Sequence, residues 1–259
     1  MMAFLKKEIL EQIRTGKMMI LGILFILFGI MNPAVAKLPP WLLEMMADSM
    51  AQGGMTITAA DPTALDSWMQ FYKNIPMALI AFILMESSIF TREYQSGTLL
   101  LSLTKGLQRY KVVIAKTLVL TVIWTVGYWL CFGITYGYNA YFWDNFVAQN
   151  LMYSVLCWWI FGLWVIGLVV LFSAMANENS GVLIGTGGIV LVSSLHGFFP
   201  KLGKFLPTLL TDGNALIYGT SEPDKYFAAL VVAGVMTLTC FGFSIPIFNK
   251  RQLKQKGTA

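Results

Sequence analysis

The sequence predicts an all-α polytopic membrane protein with six transmembrane helices. Three observations predict it. Of the 259 residues, 57% are hydrophobic and only 12% are charged, where soluble domains average about 45–50% apolar and about 25% charged. Apolar runs near the length of about 20 residues needed to cross the hydrocarbon layer recur along the chain. The basic residues sort onto one side of those runs. Together these exclude an ordinary cytosolic enzyme, a disordered regulator and a disulfide scaffold.

The first element is residues 1–17, an amphipathic helix for the cytoplasmic face. Phe4, Leu5, Ile9 and Ile13 share one helical face, and Lys6, Lys7, Glu11 and Arg14 fill much of the rest. A six-helix transmembrane domain follows over 18–248, with spans at 18–36, 74–90, 112–136, 151–175, 182–199 and 226–248. Such runs are too long for barrel strands, and lipid forces the backbone to satisfy its own hydrogen bonds, so each span is helical. The outer loop 37–73 is Met-rich, and Pro39-Pro40 before Trp41-Leu42-Leu43 suggests a short interfacial helix. The outer segment 200–225 mixes apolar residues with Pro200, Gly203, Pro207 and Gly213, the pattern of a chain that folds back into the membrane. Pro33 and Pro246 kink the ends of spans one and six. Residues 249–259 form a basic cytoplasmic tail.

With the N-terminus inside, the inner segments hold Lys6, Lys7, Arg14, Lys17, Arg92, Lys105, Arg109, Lys111, Lys116, Lys250, Arg251, Lys254 and Lys256. The outer segments hold only Lys37, Lys73, Lys201, Lys204 and Lys225. The positive-inside rule therefore places both termini in the cytoplasm of a multi-pass cell-membrane protein, and the short chain suits a bacterial one. The net charge of +5 reads as topology rather than nucleic-acid binding. Ala34-Val35-Ala36 resembles a signal-peptidase site, but Glu8 and Glu11 in a long leading segment favour a retained anchor. Cys131, Cys157 and Cys240 lie in apolar runs and read as buried thiols. A single histidine, His196, excludes a multi-His metal centre and reads as an interfacial hydrogen-bonding residue.

The most informative segment runs from Phe90 to Lys116. It has a charged exit from span two at Arg92-Glu93, a bend at Gly97-Thr98, a short apolar helix ending near Leu103-Thr104 and a basic re-entry through Arg109 and Lys111. A helix so placed can carry force between a soluble partner and two spans, although an ordinary amphipathic loop has the same composition. Glu86 is the ionisable residue inside span two. It is either a functional contact, with proton or substrate, or a partner for Arg92, Lys116 or an N-terminal lysine at the inner surface, and the second reading is favoured.

The order and spacing of Arg92, Glu93, Gly97, Thr98, Leu99, Leu103, Thr104, Arg109 and Lys116 resemble the signature of type-2 ABC exporter permeases. The N-terminal Lys7-Glu8 helix, the six-span layout and the long first outer loop are similar too. The resemblance implies a transmembrane subunit that pairs with a second permease copy or a related permease and with two cytoplasmic ABC ATPase subunits. The loop 91–111 would then contain the coupling helix, with Arg92, Glu93, Gly97, Thr98, Leu99, Leu103 and Arg109 as the coupling residues. The short inner turn 176–181 would make a second, smaller contact.

The chain carries no P-loop: its Gly-Lys pairs, Gly16-Lys17 and Gly203-Lys204, lack both the following Ser or Thr and the earlier glycine. ATP and Mg would therefore belong to the partner, and no catalytic, cofactor or metal residue is assigned here. The implied cargo is hydrophobic or amphipathic, such as an antimicrobial peptide, a drug or a lipid-linked molecule. Two other classes fit the sequence less well. An intramembrane enzyme needs paired acids, a Ser/His pair or a metal motif, and none is visible. A secondary transporter or channel without an ATPase stays as the alternative, although several intramembrane polar groups or broken helices would be usual for it.

Overall fold

The structure is a computed structural model, and it describes residues 2–51, 61–98, 104, 106, 108–197 and 200–250, with side chains omitted at 39–51, 96, 200 and 201. Among the described residues there are helices and no strands. Those residues form α1 (Met2–Arg14), α2 (Lys17–Ala51), α3 (Ala64–Glu86), α4 (Ser88–Ser96), α5 (Arg109–Phe142), α6 (Leu151–Met175), α7 (Asn179–His196), α8 (Pro200–Gly203), α9 (Gly213–Ile217) and α10 (Asp224–Lys250). Six helical stretches are long and apolar enough to cross a membrane: Lys17–Leu38, Ala64–Gln95, Arg109–Phe142, Leu151–Met175, Asn179–His196 and Asp224–Lys250.

Several span ends move from their sequence positions. The second span starts at Ala64 rather than residue 74. Polar Asp66, Ser67, Gln70 and Lys73 lower its hydropathy, but Trp68, Phe71 and Tyr72 form its buried face. Its start is set by Thr63, whose backbone N–H donates to Asp66 Oδ2 at 2.8 Å. Ser87 keeps a right-handed conformation, and its N–H donates to Ile83 O at 2.8 Å, so α3 runs almost directly into α4. The third span extends through Tyr138 and Phe142, because its aromatic end continues the helix. The loop expected over 37–73 is shorter: α2 continues to Ala51 and absorbs the short helix expected after Pro40. Proline fixes φ near the helical value, so it costs hydrogen bonds without necessarily ending a helix. Pro76 also lies within α3, besides the prolines expected to bend spans one and six.

The fourth span is the centre of the bundle, with 67% of its window buried, against 11% for the fifth. α10 packs along α6, α2 packs along α3 and α5, and α7 lies mainly on α6. Lipid removes most of the hydrophobic drive between helices, so shape and polar contacts must hold them. Both are present. The Trp124 ring sits 6.0 Å from Phe25, 5.7 Å from Phe82 and 5.4 Å from Tyr128, and its indole fills the notch left by Gly162, where a Cβ would collide with it. Asn32, between α3 and α5, donates to Thr135 Oγ1 at 3.0 Å and accepts from Asn74 Nδ2 at 2.8 Å. Gly133 and Gly137 lie open on α5, whereas Gly185 packs under Phe172. The three cysteines are free and buried.

The segment 200–225 folds back against the bundle in short helical turns. Pro207, Leu210, Leu216 and Ile217 are buried, and Trp158 Nε1 donates to Thr211 O at 2.9 Å. At the same end Lys37 Nζ sits 3.2 Å from the Phe142 ring centroid. His196 is exposed at the end of α7, with Nδ1 2.8 Å from Val192 O.

Candidate functional site

The opposite end gathers α1, α4, the start of α5 and the end of α10. It is organised by an unexpected face of α1. The apolar residues Ile9 and Ile13 are 42% and 55% exposed, while Phe4, Glu8 and Gln12 are buried. The residues at i, i+4 and i+8 that dock the helix thus include two polar ones. Ile9 and Ile13 keep an outward placement, and docking falls to a separate, partly polar stripe. The reason is chemical: Glu8 and Gln12 find partners on the spans, and lipid is the natural neighbour of Ile9 and Ile13.

Lys116 on α5 is the hub and is 1% exposed. Its Nζ donates to Glu8 Oε2 at 2.8 Å and to Ile89 O at 2.9 Å, and it pairs with Glu93 Oε2 at 3.1 Å. The ring centroids of Phe90 and Phe4 lie 5.6 and 5.9 Å from the same ammonium. Lys7 reaches in from α1 and donates to Glu93, with Glu8 at 3.3 Å and Glu11 at 3.5 Å. Partial burial opposes the charge on Lys7, but its hydrogen bond to Glu93 and the attraction of Glu93 and Glu8 outweigh that and raise its pKa. The carboxylates of Glu8, Glu11 and Glu93 converge within 4.8 Å of one another, and two lysines stand among them. The arrangement is an alternating ionic node joining α1, α4 and α5.

Glu86 lies beside it, fully buried rather than wetted at the surface. It accepts from Gln12 Nε2 at 2.6 Å and stands 4.0 Å from Lys17. Lys17 itself donates to Met85 O at 2.5 Å and to Ser88 Oγ at 3.4 Å. A small cleft opens between α1 and α4, with Glu11, Thr15 and exposed Arg92 among its lining residues.

The other side of α4 grips different helices. Tyr94 Oη donates to Ser173 O on α6 at 3.2 Å, and Tyr94 and Phe90 meet Phe248 of α10 at 6.1 and 6.0 Å. Arg109 Nη1 donates to Asn249 O at 2.9 Å, tying the start of α5 to the end of α10. α4 is therefore held by α1, α2, α5, α6 and α10 at once.

α4 stops at Gly97, whose φ of +70° is the left-handed cap that glycine adopts without strain. A Cβ there would meet nothing within 4 Å, so the demand is conformational rather than steric. Gly97→Ala is expected to cost about 1 kcal/mol, and Gly97→Asn less. Thermal unfolding in detergent reads the ranking, and equal stability of all three proteins would remove the argument. Thr98 is exposed beyond the cap. Leu99 and Leu103, and with them most of the short apolar helix, lie outside the described residues, as does the tail from residue 251.

Of the residues singled out from sequence, Arg92, Glu93, Gly97, Thr98 and Arg109 lie at this end, with Glu86 just inside it. Glu93 is only 4% exposed and points into the node rather than outward. Sequence reading missed Gln12 altogether; it had Glu8 only as part of the Lys7-Glu8 helix, and Lys17 only as one of the N-terminal lysines offered to Glu86, which it approaches to 4.0 Å. The signal for Glu8 and Gln12 was their spacing from Phe4, a polar stripe at helical period.

Comparison with known proteins follows this geometry. A family described as "ABC-2 family transporter protein" matches residues 2–218. An uncharacterized transmembrane protein, YxlG, of Bacillus subtilis (strain 168) is 24% identical over 214 residues, covering 80% of each chain.

Proposed function

The chain belongs to the ABC-2 family of transporter proteins, and from that premise we propose that it is the transmembrane subunit of an ATP-driven exporter. Its partners in this reading are two cytoplasmic ABC ATPase subunits and a second permease copy or related permease. The end bearing α1, α4 and Lys250 then faces the cytoplasm. The observation that carries the reading is the anchorage of α4. A helix that leaves span two and is gripped by α1, α5, α6 and α10 converts a push from a soluble partner into movement of the whole bundle.

The coupling residues divide by position. Arg92, Gly97 and Thr98 are exposed and belong to the docking surface together with Arg109; Leu99 and Leu103, outside the described residues, are assigned to it by the sequence resemblance. Glu93 acts inward and passes the displacement to Lys116 and α1. ATP and Mg bind the partner ATPase. The cargo is hydrophobic or amphipathic, in the class of antimicrobial peptides, drugs and lipid-linked molecules, in keeping with the mostly apolar interior.

Tagged full-length protein purified from its native membrane should bring down a P-loop ATPase in a two-to-two complex. Gly97→Pro should weaken that association or uncouple hydrolysis from transport without preventing membrane insertion. Purification without an ATPase, together with transport driven by an ion gradient, would instead establish the secondary-transporter reading.

A further inference from the structure

Glu86 and Gln12 share one hydrogen bond, from Gln12 Nε2 to Glu86 Oε2, and the other polar atom of each side chain, Glu86 Oε1 and Gln12 Oε1, is a buried oxygen that meets no donor among the described residues. Each of these oxygens sits on the same planar group as an atom of that hydrogen bond, so a carboxyl and an amide facing each other in one plane would bring the two together. An ionised Glu86 can only accept, which leaves both oxygens unsatisfied in a buried site. We propose that Glu86 is a proton-binding site, and that its protonated carboxyl closes a two-bond acid–amide ring with Gln12 that locks α1 to span two. Oε1–H then donates to Gln12 Oε1 while Gln12 Nε2 donates to Oε2, and both orphan oxygens find partners.

The charged groups around the pair fit this assignment. α1 contributes Glu8 and Glu11, α2 Lys17, α4 Arg92 and α5 Lys116. Lys116 is committed to Glu8, Glu93 and Ile89 O, and Lys17 to Met85 O and Ser88. The approach of Lys17 to Glu86 is 4.0 Å, against 2.6 Å for the amide. Arg92 is exposed. A neutral acid needs no closer cation.

Infrared spectra of the full chain in lipid vesicles at neutral pH test the proposal. The difference between wild type and Glu86→Gln should contain the carbonyl band of a protonated, hydrogen-bonded carboxyl, shifting in heavy water; its absence overturns the proposal. A glutamine at 86 can rebuild both bonds with Gln12, so Glu86→Gln should keep the wild-type melting temperature while Glu86→Ala and Gln12→Ala lower it. An ionised Glu86 paired with Lys17 predicts the reverse, with Glu86→Gln as damaging as Glu86→Ala, and that result also overturns the proposal. As pH rises, the wild type should lose stability relative to Glu86→Gln, because the proton that closes the ring is removed. None of these measurements uses transport or an ATPase, so their failure leaves the permease reading separately testable.

Discussion

Replacing Lys116 with methionine is expected to destabilise the protein by about 3–5 kcal/mol, the range seen when one member of a buried ion pair is removed. The side chain is 1% exposed, and Glu8 and Glu93 are 4% or 5% exposed, so water cannot replace the lost ammonium easily. The substitution leaves the Glu8 and Glu93 carboxylates facing each other across the half-exposed Lys7. Adding Glu8→Gln to Lys116→Met should recover part of the loss, because it removes one of the stranded charges. Urea unfolding of the single and double variants measures this. A loss below about 1 kcal/mol would mean that the node behaves as a solvated surface pair.

The second large effect is expected at Trp124. Truncation to alanine should cost about 3 kcal/mol, the lower end for a buried tryptophan, since part of the usual transfer gain is absent in lipid. What is lost is the packing of the indole against Phe25, Phe82 and Tyr128, and its hydrogen bond to Trp159 O at 3.3 Å. Gly162→Ala approaches the same contact from the other side, because its new methyl meets the indole ring. Alone it should cost about 1–3 kcal/mol by overpacking. Combined with Trp124→Phe it should cost less than the sum, since the smaller ring vacates the space the methyl needs. Strict additivity would show that the two residues are not in contact.

The parts of this fold that were legible are those governed by hydropathy alone. The fourth span was placed at 151–175, as found, because its sequence is apolar throughout and bounded by Asn150 and Ala176. Span two was read ten residues short at its start, because the solvent-like residues Asp66, Gln70 and Lys73 alternate with the buried aromatics. Hydropathy averages the two faces of a helix, whereas burial selects one. The same averaging hid the docking face of α1. A search for apolar faces finds Ile9 and Ile13, while the contact that matters is made by Glu8 and Gln12, whose partners are 86 and 116 in the chain. No local pattern reveals a long-range ionic partner. Gly97 was legible as a bend because left-handed backbone leaves a mark in residue type itself. Glu93 was legible as important through the motif, but its inward direction depends on where Lys7 and Lys116 lie.

The polar stripe of α1 also fixes an order of assembly during synthesis. α1 is translated before its partners, since Glu86, Glu93 and Lys116 belong to the second and third spans. Until Lys116 has been translated and inserted, Glu8 lacks its closest cation. The amino-terminal helix can meanwhile rest on the membrane through Ile9 and Ile13, with Glu8 and Gln12 toward water. The Glu8–Lys116 contact can form only in a chain whose third span is already in place. A helix made before its partners thus becomes a checkpoint for their correct insertion.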